Sequence, residues 1–228
     1  CKSSITFLDG EKGILRYRGY SIEDLAKNAN FLEVAFLLIF GELPTKEELE
    51  KLISDIQDNA IIDEDLKKIL VSFPRSAHPM GILSSLTSAL IAFNPEKKIS
   101  LSKKTGDGHT YMYNLIVKLL AKIPILVAWV HRRRKGLSLD YGDYTQGYVE
   151  NITKMMFQLP NQAYVKNDVI VNAMNKLLIL HADHEQNCST STVRIVGSSE
   201  ASLFASVSAG ISALWGRLHG GANQAVLE

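Results

Sequence analysis

Histidine and amide side chains recur at three-residue intervals in the segment HADHEQN, directly after the apolar run LLIL. If the preceding helix continues through this segment, His181, His184 and Asn187 lie along one edge of it. Their rings and amide then offer hydrogen bonds in one direction, which suits a polar ligand better than packing does. The tract Cys188–Thr192 that follows supplies hydroxyl groups and a place for the helix to end. These residues predict a polar binding site, although a buried network that joins helices explains them about equally well.

A metal site is the alternative chemistry for the same segment. His181, Asp183 and His184 could hold the metal of a helical, metal-dependent hydrolase. On a continuous helix, however, Asp183 and Glu185 point away from the histidine face, and no HExxH or paired-cysteine pattern supplies another ligand. We therefore expect no metal here. Stoichiometric zinc binding would favour the hydrolase alternative.

A further histidine, His219, lies in LWGRLHGGANQ between an apolar helix end and a Gly-Gly turn. Glycine pairs let a ligand approach the backbone closely and expose N–H groups. We expect a new helix to begin near Asn223. A neutral imidazole in such a position can donate a hydrogen bond to an oxygen that is becoming negative, as in an enol or enolate. His219 is therefore the candidate catalytic group.

Three other polar features are explained more simply without a ligand. The basic run HRRRKG (131–136) offsets the dipole at a helix C-terminus, and no aromatic ladder accompanies it, so we expect no nucleic-acid binding. His109 lies in the loop TGDGHT and is interpreted as a solvated residue. Arg75 and His78 precede a helix N-terminus, where anions are favoured, but His78 is more simply the cap of that helix.

Composition describes an ordinary globular protein of one large domain or two small ones. The chain has 228 residues, a net charge of +1, 46% hydrophobic and 21% charged residues. This charge gives no bias toward nucleic acid or an anionic membrane. Cys1 and Cys188 are too few for a disulfide framework, so a reducing compartment is expected. The most apolar window, Leu115–Val130, contains two lysines and a proline, and we expect it to fall short of a membrane span.

Helical periodicity and capping signals dominate the chain and predict an all-α, mostly helical fold. Only Ser4–Gly10 and Gly13–Gly19 alternate as strands do, which predicts one small N-terminal β-hairpin. Pro124 should kink or split the long helix that contains it. The predicted helices start at Ser21, span Phe31–Phe40 and Lys46–Gln57, run from Asp63 to before Pro74 and from Pro79 to Phe93, and span Tyr111–Lys135, Gly147–Phe157, Asp168–His184 and Ser202–Trp215.

The two histidine segments, LHADHEQNCSTSTVRIVGSS and LWGRLHGGANQAVLE, together resemble the citrate synthase family in the form typical of many bacteria. RGYSIEDLA, FGELPTKEEL, FPRSAHPMG and NDVIVNAMNKLLILHADHEQN are similar to that family in the same order. The resemblance covers essentially the whole chain. It implies that residues 1–228 form part of the large helical domain of that fold, and that the small domain is absent.

The resemblance also implies an activity and residue roles. The family is an acyltransferase that condenses acetyl-CoA with oxaloacetate and hydrolyses the product to citrate and CoA, in the tricarboxylic acid cycle. By matching motifs, His219 hydrogen-bonds the thioester carbonyl, His184 binds oxaloacetate, and Asn187 supports it. His181 is then expected to lie behind His184 and to support it without contacting oxaloacetate. Acetyl-CoA is then a substrate, and neither a cofactor nor a metal is implied.

The chain departs from the family pattern at its end. The family's catalytic aspartate, third histidine and carboxylate-binding arginines lie after HGGAN, whereas this chain stops nine residues after His219. We therefore expect the 228 residues by themselves to be inactive. The resemblance implies a homodimer or higher homo-oligomer of the full-length protein, through helices 79–93 and 111–135, in the bacterial cytoplasm. Packing within one chain is the simpler explanation of the small residues on the first of these helices.

Two alternatives stay open besides the hydrolase. A 2-methylcitrate synthase shares the fold and both histidine motifs, and the acyl pocket that separates the two activities is not recognisable here. A non-catalytic helical scaffold is the other alternative. Acyl-CoA preference and regulation by NADH are not predicted by the sequence.

Overall fold

The computed structural model describes residues 3–94 and 107–221, with side chains from Tyr111 onward in the second range. Within these residues the chain is mostly helical, as predicted. The helices are α1 Ile22–Asn28, α2 Phe31–Phe40, α3 Lys46–Asp58, α4 Glu64–Ser72, α5 Pro79–Phe93, α6 Asp107–Lys135, α7 Tyr148–Phe157, α8 Asp168–Leu180, α9 Cys188–Gly197 and α10 Leu203–Leu214.

The chain divides into two compact units. Unit 1 comprises Cys1–Asp55 and Gly142–Asn187, and unit 2 comprises Ile56–Tyr141 and Cys188–Glu228. The strands, α1, α2, α7 and α8 belong to unit 1, and α4, α5, α6, α9 and α10 belong to unit 2. Helix α3 begins in unit 1 and ends in unit 2.

A small antiparallel sheet of three strands opens unit 1. Strands β1 (Thr6–Asp9) and β2 (Ile14–Tyr17) form the predicted hairpin. A third strand, β3 (Tyr20–Ser21), pairs with β2 and was not predicted. Arg18 and Gly19 connect β2 to β3 with φ angles of 50° and 93°, the left-handed pair that a tight hairpin turn requires. The predicted hairpin is therefore confirmed, and β3 extends it by a strand of two residues, too few to show the alternation by which a strand is recognised in the sequence.

Local capping signals place the helices of unit 1. Ser21 accepts a hydrogen bond from the N–H of Asp24 at 3.1 Å, and Asn30 forms a reciprocal capping box with Glu33. Gly41 ends α2 in the left-handed conformation, with φ of 97°. These elements enclose one hydrophobic cluster: Tyr17, Ile22, Leu25, Val34, Leu37 and Ile179.

Helix α10 forms the centre of unit 2, where it packs against both α9 and α5. Its buried residues are Phe204 and three small ones, Ser206, Ser208 and Gly210, and Ser208 Oγ donates to the carbonyl of Ser84 on α5 at 2.8 Å. Ser84 Oγ also lies 2.7 Å from Ser212 Oγ. The serines of α5 therefore serve packing within one chain on this side, which is the simpler of the two explanations that the sequence left open.

Helix α6 runs through Pro124 as one element, so the proline does not split it. Its segment Tyr111–Lys135 is long and apolar enough to cross a membrane on length and composition, with a mean hydropathy of 1.7. By length and composition, therefore, the expectation that this segment is too short or too polar to span a membrane was wrong. The buried core helix of a globular domain passes the same test, and 56% of the window is buried inside the structure. Leu126 and Trp129 are fully buried, so packing within unit 2 accounts for much of the apolar character.

Candidate functional site

The candidate residues fall in two places, His181–Asn187 at the end of unit 1 and His219 in unit 2. In unit 1, α8 ends at Leu180, and residues 181–187 form a non-helical loop before α9. The predicted helix through His184 was therefore wrong, and so was the prediction that His181, His184 and Asn187 share one helical edge. The prediction that the Ser/Thr tract ends a helix was also wrong, because α9 begins there, at Cys188.

The loop departs from helical geometry because other partners take its backbone groups. The phenol of Tyr17 lies 3.1 Å from the carbonyl oxygen of Ile179 and 3.0 Å from that of Asp183, and it accepts the N–H of Asp183 at 3.3 Å. Thr6 donates its hydroxyl to Asp183 Oδ2. Glu185 adopts a left-handed φ of 58°, which a helix does not allow. These contacts come from the N-terminal sheet, far away in sequence, so helical periodicity carried no sign of them.

The two histidines of the loop lie beside each other without a helix between them. Their ring centroids are 6.3 Å apart and their planes meet at 71°. His181 caps α8, and its Nδ1 lies 2.8 Å from the carbonyl oxygen of Leu177. His184 is exposed, and its ring has no hydrogen bond to residues 3–94 or 107–221. Both histidines are exposed, but within the described residues both ring nitrogens of His184 are available, whereas His181 supports the end of α8.

The acidic residues of the loop are used by the fold. Asp183 Oδ2 accepts hydrogen bonds from Thr6 and from the N–H of Glu185, and Glu185 Oε1 accepts the N–H of Leu8 at 3.2 Å. Within the two described ranges, no three His, Cys, Asp or Glu side chains converge as ligands for a metal ion. The geometry therefore gives the hydrolase alternative no support.

In unit 2, His219 is held by a serine that the sequence did not single out. His219 Nε2 lies 2.8 Å from Ser189 Oγ, and both residues are half-buried. Ser189 belongs to the first turn of α9, whereas His219 follows α10, so the packing of these two helices brings the pair together. Gly210 permits this close packing, because a β-carbon there would lie 2.6 Å from Val193 Cγ2. The spacing of thirty residues gave no local signal for the pair.

The backbone around His219 is a compact turn that depends on glycine. The N–H of His219 donates to the carbonyl of Gly216 at 2.9 Å, and that of Gly221 donates to the same oxygen at 3.2 Å. A β-carbon on Gly220 would lie 2.3 Å from the carbonyl oxygen of Leu214, a distance that no side chain tolerates. The turn of residues 215–219 therefore folds the chain back against the end of α10 before the chain becomes helical at Gly220, and it sets the position of the imidazole. Gly220 and Gly221 are already helical, so helical structure begins before the predicted start near Asn223, which itself lies outside the described residues.

The remaining polar features behave as structural groups where they are described. His78 caps α5, as the simpler interpretation predicted, with Nδ1 accepting the N–H of Met80 at 3.3 Å. Arg133 in the basic run donates to the carbonyl oxygens of Val71 and Phe73 at 2.9 and 2.5 Å. Burial, reinforced by the neighbouring cations, lowers the pKa of His131. His109 belongs to the first turn of α6 and not to the predicted loop, and its side chain lies outside the described residues.

The whole chain matches one family of known proteins. The family model for the citrate synthase C-terminal domain matches residues 1–228. Citrate synthase of Corynebacterium glutamicum is 50% identical over 227 residues, which cover 100% of this chain and 51% of that protein. Citrate synthase 1 of Mycobacterium tuberculosis is 48% identical with the same coverage. The chain thus spans about half the length of these relatives.

Solved structures agree with the sequence matches. The crystal structure of citrate synthase from Pyrobaculum aerophilum has a TM-score of 0.90 and 34% identity, and the match covers 99% of this chain and 55% of that one. The ternary complex of citrate synthase from Thermoplasma acidophilum with carboxymethyl coenzyme A and oxaloacetate has a TM-score of 0.87 and 26% identity, with 99% and 56% covered. With a family model over all 228 residues and close structural neighbours of the same name, the chain belongs to the citrate synthase family.

Proposed function

We propose that the natural protein that carries these residues condenses acetyl-CoA with oxaloacetate in a Claisen-type reaction and hydrolyses the thioester to citrate and CoA. It is then an acyltransferase in its first step. The observation that carries this proposal is the pair of Ser189 and His219, 2.8 Å apart, in a turn that admits only glycine after the histidine. The family membership names the reaction in which such a histidine is useful.

The chemistry follows from the two nitrogens of one imidazole. When the Ser189 hydroxyl donates to Nε2 of His219, the ring proton resides on Nδ1. Nδ1–H can then donate to the thioester carbonyl oxygen, which becomes negative as the methyl group of acetyl-CoA loses a proton. A donor aimed at developing charge lowers the barrier, because it binds the transition state more strongly than the ground state. In this proposal His219 stabilises the enol, and no residue of this chain is assigned as the base.

We further propose His184 and Asn187 as oxaloacetate-binding residues. Support comes from the exposed His184 ring, whose nitrogens are not used by the described part of the fold, and from a loop backbone that hydrogen bonds hold on both sides of it. A dicarboxylate with a keto group needs such donors. The Thermoplasma acidophilum relative was solved with oxaloacetate bound, which is consistent with this substrate class.

The proposal needs no cofactor and no metal, with acetyl-CoA as substrate. Its partners are oxaloacetate, acetyl-CoA and a second copy of the protein, in the cytoplasm of a bacterium. The bacterial relatives support this source. The assignment of residues 1–228 to part of one large helical domain stays a prediction.

The test is the release of CoA from acetyl-CoA by the purified natural protein, with and without oxaloacetate. His219→Gln should lower kcat by about 100-fold or more, because the enol loses its donor. His184→Ala should instead raise the KM for oxaloacetate. His78→Asn is the matched control, since asparagine also caps a helix, and it should leave both constants unchanged.

Two outcomes would contradict the proposal. Absence of oxaloacetate-dependent CoA release would remove the condensation itself, and full activity of His219→Gln would remove the role of the imidazole. Propionyl-CoA, assayed in parallel, separates the citrate and 2-methylcitrate alternatives. A kcat/KM higher for propionyl-CoA than for acetyl-CoA would favour the second.

A further inference from the structure

Hydrogen bonds from the N-terminal sheet hold the chain on both sides of His184. Before the histidine, the Tyr17 phenol lies 3.0 Å from the carbonyl oxygen of Asp183 and accepts its N–H at 3.3 Å. After the histidine, Glu185 Oε1 accepts the N–H of Leu8 at 3.2 Å. Because Asp183 and Glu185 are both held, His184 between them can change only its own backbone angles and its side-chain rotamer.

The contacts to Asp183 originate from one cross-strand pair. Thr6 on β1 and Tyr17 on β2 stand directly opposite each other in the sheet register, so their side chains lie on the same face. From that face Thr6 reaches the carboxylate of Asp183 and Tyr17 reaches its backbone. Because the pair is tied together by the ladder, the sheet holds Asp183 through both its side chain and its main chain.

Tyr17 is the rigid member of this arrangement. It is 0% exposed and belongs to the core cluster of unit 1, and its hydroxyl also lies 3.1 Å from the carbonyl oxygen of Ile179 near the end of α8. Burial raises the pKa of this phenol above its ordinary value, so it keeps its proton at neutral pH. The ring cannot move without disturbing the core, and its hydroxyl therefore gives the loop a fixed reference point.

Glu185 has a strained backbone conformation that these hydrogen bonds maintain. Its φ of 58° is a conformation that residues with a β-carbon seldom adopt. The bonds of its carboxylate to Leu8 and of its N–H to Asp183 Oδ2 retain it there. A loop with this shape does not persist by local preference, which indicates that the sheet imposes it.

We propose that Tyr17, assisted by Thr6 and Glu185, is a positioning residue for His184: the N-terminal sheet holds residues 183 and 185 so that the His184 ring meets oxaloacetate in a preset orientation. This inference rests on the proposed function. A side chain that is already held in its binding orientation loses little conformational entropy when the ligand binds. A loop that has become mobile loses more, and it therefore binds the ligand more weakly. Tyr17 acts on the substrate only through the loop.

The decisive variant is Tyr17→Phe in the natural protein. It keeps the buried ring but removes the hydroxyl that binds Asp183 and Ile179. We expect the KM for oxaloacetate to rise about five-fold or more, with the KM for acetyl-CoA within about two-fold of wild type. Amide hydrogen exchange of residues 181–187 should become faster than in the rest of unit 1.

Asn175→Ala is the matched control. Asn175 also ties α8 to another part of unit 1, accepting the N–H of Phe31 at 2.8 Å and donating to the carbonyl of Ala29 at 3.2 Å, but it does not touch the loop. It should lower the melting temperature without changing the KM for oxaloacetate or exchange in residues 181–187. Glu185→Gln, which keeps an acceptor for Leu8, should stay close to wild type, whereas Glu185→Ala should behave like Tyr17→Phe.

The outcomes separate this inference from the proposed function. If Tyr17→Phe and Asn175→Ala shift the KM for oxaloacetate equally, or if exchange in residues 181–187 does not respond to Tyr17→Phe, the positioning role is overturned. If wild type releases no CoA with acetyl-CoA and oxaloacetate, the proposed function fails and the substrate assignment of this inference fails with it. The exchange comparison then still decides whether the sheet holds the loop.

Discussion

Ser189 Oγ and His219 Nε2 lie 2.8 Å apart, although the two residues belong to segments on opposite sides of α10 in the sequence. This bond selects which ring nitrogen of His219 faces the serine and leaves Nδ1 for another partner. Ser189 is thus placed to set the orientation of the imidazole, and the ring proton resides on Nδ1 when the serine hydroxyl is the donor to Nε2. The close packing of α9 and α10 at Gly210 makes the contact possible.

Replacing Ser189 by alanine should lower kcat by about ten-fold or more, because the imidazole loses the hydroxyl that orients its ring and, in the proposed mechanism, donates to Nε2. The KM for oxaloacetate should change little. Steady-state CoA release by the natural protein measures both constants. Thr192→Val, one turn along α9, serves as the control, because among the described residues its hydroxyl bonds only the helix carbonyl of Cys188. Equal kcat values for the two variants would show that Ser189 does not act through His219.

Gly220→Ala should destabilise unit 2 by about 1–3 kcal/mol, because its β-carbon would lie 2.3 Å from the backbone oxygen of Leu214 and the turn would have to shift. Activity should fall with it, since the same turn carries His219. Urea unfolding gives the free energy of unfolding. Gly10→Ala has open space around the added methyl group and should be nearly neutral. A stable Gly220→Ala protein would contradict the structure of the turn.

The buried ammonium group of Lys122 should make the free energy of unfolding depend on pH in the alkaline range. Its ammonium donates to the carbonyl oxygens of Asn59 and Ile61 at 2.7 and 2.5 Å, and burial, followed by repulsion from Lys118, lowers its pKa from 10.5 to about 8. Between these two values the unfolded chain binds a proton that the folded chain does not. Stability is therefore lost as the pH falls from 10.5 to 8 and regained as it rises.

We expect the free energy of unfolding of wild type to rise by about 2 kcal/mol relative to Lys122→Met between pH 8 and pH 10. Urea unfolding at several pH values in this window measures the difference. Parallel curves for wild type and Lys122→Met would mean that Lys122 is not desolvated in the folded protein.

The carboxylate of Asp143 should stabilise unit 1 at neutral pH and lose this effect in acid. Hydrogen bonds from Lys154, at 2.7 Å, and then from Thr145 lower the pKa of its carboxyl from 3.8 to about 2. A depressed pKa stabilises the fold above pH 3.8, and this contribution disappears as the pH falls toward 2. Asp143→Asn should therefore unfold at lower urea concentration than wild type at pH 5, and the gap should close near pH 2.

Much of the secondary structure could be predicted because its signals are local. Thr45 and Glu48 form a capping box at the start of α3, with bonds of 2.8 and 3.3 Å, and Asp63 caps α4 through the N–H of Asp65. Gly41 ends α2 in the left-handed conformation that glycine favours at this position. Each of these residues acts on backbone groups within four positions, so the relevant physics is contained in a short window.

The end of α8 could not be predicted in the same way. The apolar pattern of LLIL favours continued helix, and the polar residues that follow are compatible with it. Tyr17 and Thr6 take the backbone and side chain of Asp183 instead, and the sheet that presents them lies more than 150 positions earlier in the chain. Propensity is weaker than these buried hydrogen bonds, which is why the helix stops at Leu180.

The sequence by itself determined the helical class, most helix starts, the two histidine segments and the family, because each depends on local periodicity or on contiguous motifs. The roles of His184, Asn187 and His219 stay predictions that the proposed experiments test. Only the tertiary structure decided that His184 stands on a loop held by the sheet and that Ser189 meets His219. Both depend on hydrogen bonds between distant segments, which form only when the packing of whole elements has paid the entropy of bringing them together.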